Sequence, residues 1–297
     1  MDQEMIISEE DVRKFKVKKT LGNIGVYVFL TIVAIFIIIP FYWMFATALR
    51  TELEMQSSHI SFFPKEWKFE NFKLAIEFAA NKGANFFKFY LNTIIVGFLT
   101  TAGTMITTIL AAFAFARLNF KGKEVIFSIL LATMMIPGEI FVITNYATIS
   151  SWGLKNTYTA LVLPFVISVF YTFFLRQTFR QIPDELYYAA KVDGTSDFKY
   201  LWKVMIPMAK STLTSILILS MMGTWNAYVW PNLVASDKDM LLVSNGLLSI
   251  YKDIDGSGQI ITFQMAAAVL VTVPLLIVFI FLRKQIMNGV SRSGIKG

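Results

Sequence analysis

Six apolar runs, each long enough to cross a lipid bilayer, constrain this chain more than any other feature of its sequence. A membrane-spanning helix needs about 20 mostly apolar residues, because each residue adds about 1.5 Å and the hydrocarbon core is about 30 Å thick. With 56% hydrophobic and 16% charged residues, the chain is far more apolar than a soluble domain needs. We therefore predict an all-α polytopic membrane protein with six transmembrane helices. The predicted spans lie near 22–49, 90–116, 125–148, 157–175, 211–234 and 262–282.

Two of the predicted spans carry residues that interrupt a helix. A Pro-Gly-Glu step at 137–139 falls within the third span, and a Gly-Thr-Trp-Asn run at 223–226, followed by Pro231, falls within the fifth. Proline removes a backbone donor and glycine lowers helix stability, so both weaken the helix where they occur. Interrupted spans usually bend around a cavity, and we expect these two spans to do so.

Basic residues are unevenly distributed between the loops. Segments 1–20, 117–124, 176–210 and 283–297 hold 18 of the 27 lysines and arginines, while the other loops, of nearly equal total length, hold 9. Because cytoplasmic loops carry the excess of basic residues, the first set is predicted to be cytoplasmic, with both termini inside.

The predicted organisation has three parts. A cytoplasmic tail of residues 1–21 precedes a six-span transmembrane domain of residues 22–282, and a cytoplasmic tail of residues 283–297 follows it. The loop 182–207 belongs to the cytoplasmic side. The first apolar run is too long for the core of a cleaved signal peptide, so we expect it to remain as a membrane anchor.

The sequence lacks the residues that several kinds of functional site require. The chain has no cysteine and a single histidine, His59, so we expect no metal site and no catalytic residues. The phosphate-binding motif Gly, four residues, Gly-Lys-Ser/Thr is absent, so any ATP must be used by another subunit. The basic residues lie in short loops without an aromatic-interleaved face, which argues against nucleic-acid binding.

Two groups of residues are candidates for a solute path. Glu139 is the one acidic residue inside a predicted span, and Asn145 follows on a related face. A buried charge is costly, so Glu139 should face a cavity, a partner subunit or the outer interface. The second group comprises Trp225, Asn226, Tyr228 and Trp230. Aromatic rings stack on sugars while Asn supplies a donor and an acceptor, but an aromatic belt with interhelical packing explains the same residues.

A threonine-rich stretch in the second span has two possible interpretations. Small residues allow close helix packing, and threonine hydroxyls can also line a polar path. The residues concerned are Gly97, Thr100, Thr101, Gly103, Thr104, Thr107 and Thr108.

The residue pattern of the segment 182–207 predicts two short helices that meet at Gly194. Pro183 and the acidic pair that follows it favour a helix start, and Gly194 tolerates a left-handed turn. Thr195 or Ser196 can cap the second helix, whose apolar residues recur at helical spacing. An ordinary amphipathic loop on the lipid surface is the alternative.

The segment 182–207 also resembles the EAA loop of binding-protein-dependent ABC importers. That loop has Glu-Ala-Ala, two residues, Asp-Gly, about nine residues, and an apolar residue with Leu-Pro or a close variant. Tyr188 stands where the family has Glu. The matching residues are Ala189, Ala190, Asp193, Gly194, Ile206 and Pro207. Segments at 37–51, 135–165, 224–236 and 265–297 are similar to spans and tail of the second, maltose-type permease of carbohydrate importers.

The resemblance implies a bacterial cell-membrane permease that imports a sugar or oligosaccharide. Its expected partners are a homologous second permease, a dimer of cytoplasmic ATP-binding subunits and an extracellular solute-binding protein, with lipid around the spans. ATP and Mg would bind to the ATPase and not to this chain. The residues expected to couple to the ATPase are Glu185, Tyr188, Ala189, Ala190, Asp193, Gly194, Phe198 and Pro207.

Two alternatives stay open. A permease of the same class could carry another polar solute, such as a glycerol phosphate ester. A secondary transporter would work without ATP, but it would be expected to carry more ionisable residues in its spans.

Overall fold

The structure is a computed structural model that describes residues 9–57, 59, 61–251 and 258–291. These residues form α-helices joined by short turns, with no strand among them. The all-α membrane fold is therefore confirmed. The helices are α1 (Glu9–Ala48), α2 (Glu52–Gln56), α3 (Glu70–Asn81), α4 (Phe86–Arg117), α5 (Lys123–Thr133), α6 (Phe141–Ser151), α7 (Tyr158–Val162), α8 (Val169–Arg180), α9 (Asp184–Val192), α10 (Asp197–Tyr200), α11 (Ile206–Met208), α12 (Lys210–Trp225), α13 (Val229–Val234), α14 (Val243–Ile250) and α15 (Gly258–Ser291).

Three continuous helices in the described residues are long and apolar enough to cross a membrane: Lys18–Ala48, Phe86–Arg117 and Ile260–Arg283. Three further spans result if each pair of helices joined at a sharp bend is counted as one. The bends measure 76° between α5 and the helix 138–151, 48° between 158–165 and α8, and 81° between 197–208 and α12. The six predicted apolar runs are thus all present as helical segments.

The third span is bent at the Pro-Gly-Glu step, as predicted. The fourth span, for which no break was predicted, is bent as well. A 3-10 turn at Leu163–Phe165 contains Pro164, which has no amide hydrogen to donate. Ser168 then starts α8 by accepting a hydrogen bond from the Tyr171 amide at 3.2 Å. A proline followed by a new cap explains the bend that the apolar pattern concealed.

The fifth span has the predicted break and a larger bend at its other end. Helix α12 ends at Trp225 with Asn226 as its C-cap, and the chain becomes helical again at α13. The 81° bend lies at Ala209, two residues after Pro207. The segment 197–208 therefore leaves the span at a steep angle.

Helices α1 and α15 extend beyond the predicted spans. Helix α1 begins at Glu9, inside the predicted tail 1–21, and α15 continues to Ser291, inside the predicted tail 283–297. A helix needs no apolar residues to continue past the membrane boundary, so an apolar run underestimates its length. Residues 1–8 and 292–297 of the two tails lie outside the described residues.

Helix α4 lies at the centre of the bundle and packs closely against α8 and α12. Its threonines tie these helices together: Thr101 donates to Ser220 at 3.0 Å, and Thr107 donates to the Val166 carbonyl at 2.6 Å. A β-carbon added at Gly103 would lie 2.8 Å from Val166, so glycine is needed for this approach. The close-packing interpretation of the threonine-rich stretch is supported for these residues.

Candidate functional site

The first candidate site is the segment 182–207, which forms two short helices separated by a left-handed turn. Gly194 has φ +70°, a conformation that glycine adopts without strain. The Thr195 amide donates to the Ala190 carbonyl at 2.8 Å, which closes the end of α9. Ser196 caps α10, because its hydroxyl accepts from the Lys199 amide at 3.3 Å. The predicted break and one of the two candidate caps are thus observed.

A shared carboxylate fixes the angle between the two short helices. Asp197 on α10 accepts a hydrogen bond from the Tyr187 hydroxyl and pairs with the Lys191 ammonium, each at 2.7 Å. These bonds, first from Lys191 and then from Tyr187, lower the pKa of the Asp197 carboxyl. Both donors lie on α9, so the two helices are connected by side chains as well as by the turn.

One face of the segment is buried and the other is exposed. Tyr200, Leu201 and Met205 are buried against α4, α8 and α12. Apolar side chains on the other face remain exposed, and a group of exposed apolar side chains marks a surface for interaction. The exposed apolar face consists of Leu186, Tyr188, Val192, Phe198 and Trp202.

The predicted coupling residues lie mainly on the surface of this segment. Ala190 is the exception, because it is half-buried against the bundle. Pro207 is exposed just before the steep bend into α12. The exposed members are Glu185, Tyr188, Ala189, Asp193, Gly194, Phe198 and Pro207.

Arg117, the last residue of α4, attaches the start of α9 to the bundle. Its guanidinium is buried and donates to the Phe179 carbonyl at 2.9 Å, to the Ile182 carbonyl and to the Asp184 carboxylate. Helix α9 itself contains no buried residue. Arg117 therefore links the start of α9 to α4, while Tyr187 and Ala190 of α9 pack partly buried against the same end of the bundle.

A second buried arginine joins the same end of the bundle. Arg176 on α8 donates to the Phe115 carbonyl at 3.0 Å and to both oxygens of Glu124 at 2.9 Å. Its guanidinium also lies 3.9 Å from the centre of the Phe127 ring. The ends of α4, α8 and α5 are thereby held in one unit around the segment 182–207.

The second candidate site is a cavity of about 340 Å³ between α4, the α7–α8 span and the α12–α13 span. Its size is at the lower end of the range for small-molecule sites, about 300–1,000 Å³. The Thr100 hydroxyl is buried there without a hydrogen-bond partner among the described residues. In the part of the chain that the structure describes, no acidic or basic side chain lines this cavity. Its polar and aromatic lining comprises Thr100, Thr104, Phe165, Ser168, Tyr171, Ser220, Thr224 and Trp230.

Side-chain hydrogen bonds hold the end of this cavity that Trp230 and Leu242 line. The Trp230 indole donates to the Ala160 carbonyl at 2.9 Å. The side chain of Asn92 on α4 donates to the Asp239 and Leu241 carbonyls at 2.8 and 3.0 Å. Leu242, the next residue along, lines the cavity. The loop after α13 is therefore fixed over the cavity by α4.

Of the two groups predicted to line a path, Trp230 lines this cavity, and the other members are not brought together around it. Trp225 is half-buried, donates to the Val271 carbonyl at 3.3 Å and packs against the Tyr90 ring at 5.9 Å. Asn226 is exposed and donates to the Met222 carbonyl at 2.9 Å. Tyr228 is exposed, as is Glu139 at the bend of the third span, and Asn145 is half-buried on α6. Their role in transport stays a prediction.

Replacing Trp225 with alanine should test the packing role that its contacts support. We expect the variant to unfold more easily, by about 3 kcal/mol, because a large ring and its hydrogen bond to Val271 are lost. Trp152→Ala is the control, since Trp152 is exposed and should tolerate the change. The measurements are thermal stability of the purified subunit and uptake per assembled complex. Lower uptake per complex at unchanged stability would instead indicate a path residue.

Sequence reasoning missed both arginine contacts, and it placed Trp230, which lines the cavity, in one group with Trp225, which does not. In the sequence, Arg117 and Arg176 count only among the charges that indicate membrane orientation. Their acidic partners, Asp184 and Glu124, lie in loops predicted for the same side of the membrane. This shared location is the signal from which the contacts could have been predicted. Nothing in the local sequence distinguishes Trp230, whose ring lines the cavity, from Trp225, which packs elsewhere.

A bundle with six potential spans, a central cavity and an anchored helical segment between two spans defines a membrane-embedded transport subunit. The chain belongs to the family described as the binding-protein-dependent transport system inner membrane component, which matches residues 103–292. The predicted resemblance is confirmed by this match.

Characterised relatives cover nearly the whole chain. It is 27% identical over 277 residues to the arabinooligosaccharides transport system permease protein AraQ of Bacillus subtilis (strain 168), covering 93% of this chain and 96% of that protein. It is 28% identical over 266 residues to the diacetylchitobiose uptake system permease protein NgcG of Streptomyces coelicolor, covering 88% of this chain and 84% of that protein. It is 27% identical over 274 residues to the sn-glycerol-3-phosphate transport system permease protein UgpE of Yersinia pestis, covering 91% of this chain and 96% of that protein.

A solved structure shares the fold. The crystal structure of a bacterial ABC transporter involved in the import of the acidic polysaccharide alginate contains a chain that superimposes with a TM-score of 0.78. The sequences are 22% identical, and the match covers 90% of this chain and 97% of that one. At this identity the likeness establishes the fold alone.

Proposed function

We propose that this chain is the transmembrane permease subunit of an ATP-driven importer and forms half of the path for a sugar or oligosaccharide. The observation that carries the proposal is the segment 182–207. It exposes an apolar face and is tied by Arg117 to α4, which lines the central cavity. A movement of the segment would therefore reach the cavity through α4. Two relatives named for oligosaccharide uptake support the choice of solute.

The proposal assigns ATP hydrolysis to partner subunits. A cytoplasmic dimer of ATP-binding subunits would receive the exposed apolar face of the segment 182–207 and would bind ATP and Mg. A homologous second permease would complete the path, and an extracellular binding protein would deliver the solute. This chain then needs neither a catalytic residue nor a cofactor.

The cavity lining favours a neutral solute. Hydroxyls and aromatic rings suit sugar hydroxyls and apolar sugar faces. A glycerol phosphate ester, the solute in the name of UgpE, is the second candidate. Its dianionic group would leave a charge without a basic partner in this cavity, because the described lining contains no lysine or arginine.

Reconstituted transport distinguishes these solutes. The complex with its ATPase, second permease and binding protein would be placed in liposomes and supplied with arabino-oligosaccharides, diacetylchitobiose or glycerol 3-phosphate. We expect ATP-dependent uptake of an oligosaccharide. Uptake of glycerol 3-phosphate alone would favour the second candidate, and uptake that is equal without ATP would favour a secondary transporter.

The proposed orientation predicts where introduced cysteines react. The segment 182–207 and the turn after α4 should face the cytoplasm, and the loop after α2 should face outside. Because the chain has no native cysteine, Lys121→Cys and Gln56→Cys give clean reporters at two exposed positions. We expect a membrane-impermeant maleimide to label Gln56→Cys in intact cells and Lys121→Cys only after the membrane is opened. The reverse pattern would invert the topology.

A further inference from the structure

Four large aromatic side chains are exposed on the loop before α3. Phe62, Phe63, Trp67 and Phe69 have between 56% and 67% of their surface accessible, and we call them the aromatic platform. Phe62 and Phe63 meet edge to face at 5.1 Å, and the rings of Trp67 and Phe69 stack at 6.4 Å. Two pairs of exposed rings in one short loop mark an interaction surface.

The loop that carries the platform is held in place by a buried ion pair. Arg50 is fully buried, pairs with Glu54 at 3.2 Å and donates to the carbonyls of Ser61 and Phe62. The Glu54 carboxylate in turn accepts from the Ser61 hydroxyl at 2.9 Å and from the Lys65 amide at 3.2 Å. The exposure of the rings is therefore a property of a fixed conformation and does not reflect a loose loop.

The length of α1 places the platform at the edge of the membrane. Lys18 and Lys19 mark one end of its exposed apolar stretch, which continues to Phe41. That stretch of roughly 22 residues spans about 33 Å, close to the thickness of the hydrocarbon core. Tyr42 follows at the opposite boundary. Its ring stacks on Phe62 at 4.6 Å, and its hydroxyl donates to the Phe62 carbonyl at 2.7 Å.

We infer that the aromatic platform inserts into the lipid headgroup region of the leaflet at the α3 end of the bundle. The platform is continuous with the lipid-facing surface of α1 through the stack of Tyr42 and Phe62. Aromatic rings are favoured at the membrane–water interface, where apolar faces and polar edges are both satisfied. The buried pair of Arg50 and Glu54 then holds the first external loop at a fixed depth. This role is independent of the transported solute.

Spin labels can measure the depth of the platform directly. Phe63→Cys and the matched control Glu66→Cys lie on the same loop, and Glu66 has an exposed polar side chain. Each would carry a nitroxide in the assembled complex, with cysteine-free partner subunits, in nanodiscs of phosphatidylethanolamine and phosphatidylglycerol. Collision rates with oxygen, which concentrates in lipid, and with a water-soluble nickel chelate would be compared. We expect the ratio of oxygen to nickel collisions to be several-fold higher at position 63 than at position 66.

Two results would overturn the inference. Equal ratios at the two positions would place the platform in water. Low collision rates with both reagents at position 63 would show that a protein partner covers it. If the Phe63→Cys complex is not recovered, the same comparison at Phe69→Cys decides between these outcomes, because Phe69 is the most exposed ring of the platform.

Discussion

Replacing Arg117 with leucine is expected to lower ATP-driven uptake at least about tenfold. One hydrogen bond to a charged group contributes about 1.5–3 kcal/mol, and a tenfold change in an equilibrium needs about 1.4 kcal/mol. Arg117 makes three such contacts, to Phe179, Ile182 and Asp184, whereas no residue of α9 is fully buried and only Tyr187 and Ala190 pack partly against the bundle. The first helix of the segment 182–207 should therefore lose its fixed position. Insertion of the spans should continue, because their apolar character is unchanged.

The Arg117 variant has a matched control in the same region. Arg180 is exposed at the end of α8, so Arg180→Leu removes the same charge from the same side without breaking a buried contact. Arg117→Lys should be intermediate, because a single ammonium cannot reproduce the spread of guanidinium donors. Uptake and solute-stimulated ATP hydrolysis would be measured per assembled complex. If Arg117→Leu matches Arg180→Leu in both uptake and ATP hydrolysis, the anchoring of α9 does not govern the coupling of ATP hydrolysis to transport.

Replacing Gly194 with valine is the second change for which we expect a large effect. A β-branched residue at φ +70° is strained by about 1–3 kcal/mol. A β-carbon at this position meets nothing within 4 Å, so the penalty comes from the backbone and not from a clash. We expect α9 and α10 to open at the turn, which separates the exposed faces that carry Tyr188 and Phe198. Co-purification of the ATPase and ATP-driven uptake should both fall.

Asparagine at the same site provides the control for this prediction. Asparagine adopts the left-handed conformation more readily than other non-glycine residues, so Gly194→Asn should retain most of the uptake. Gly138→Val is a second control, because that glycine has no positive φ and an added β-carbon there also meets nothing within 4 Å. Wild-type co-purification and uptake in Gly194→Val would show that this turn does not set the contact with the ATPase.

The break in the segment 182–207 was predictable because its causes are local. Gly194 supplies a left-handed turn, and Ser196, two residues later, caps the helix that follows. The bend at 137–139 has the same kind of cause. The bend of the fourth span was missed although Pro164 lies in it, since a single proline within a long apolar run does not by itself separate a kink from a continuous helix.

The roles of the tryptophans could not be predicted, because they depend on which helix faces which. Trp225 and Trp230 are five residues apart and have the same chemistry, yet Trp225 contacts Tyr90 and Val271 while Trp230 lines the cavity. The break between α12 and α13 turns the two rings toward different neighbours. Helical periodicity is lost across such a break, so the sequence contains no simple rule for the direction of either ring.

The sequence by itself determined the membrane location, the helical class, the number of apolar segments and the turn at Gly194, because these follow from the composition and spacing of neighbouring residues. Only the tertiary structure decided which charges act as anchors. Arg117 reaches Ile182 and Asp184 across more than sixty residues of chain, and Arg50 is buried beneath the platform that it supports. A basic residue at the end of a span indicates membrane orientation whether or not it anchors another element. Whether it also holds a neighbouring element depends on the carbonyls and carboxylates that packing brings within hydrogen-bond distance.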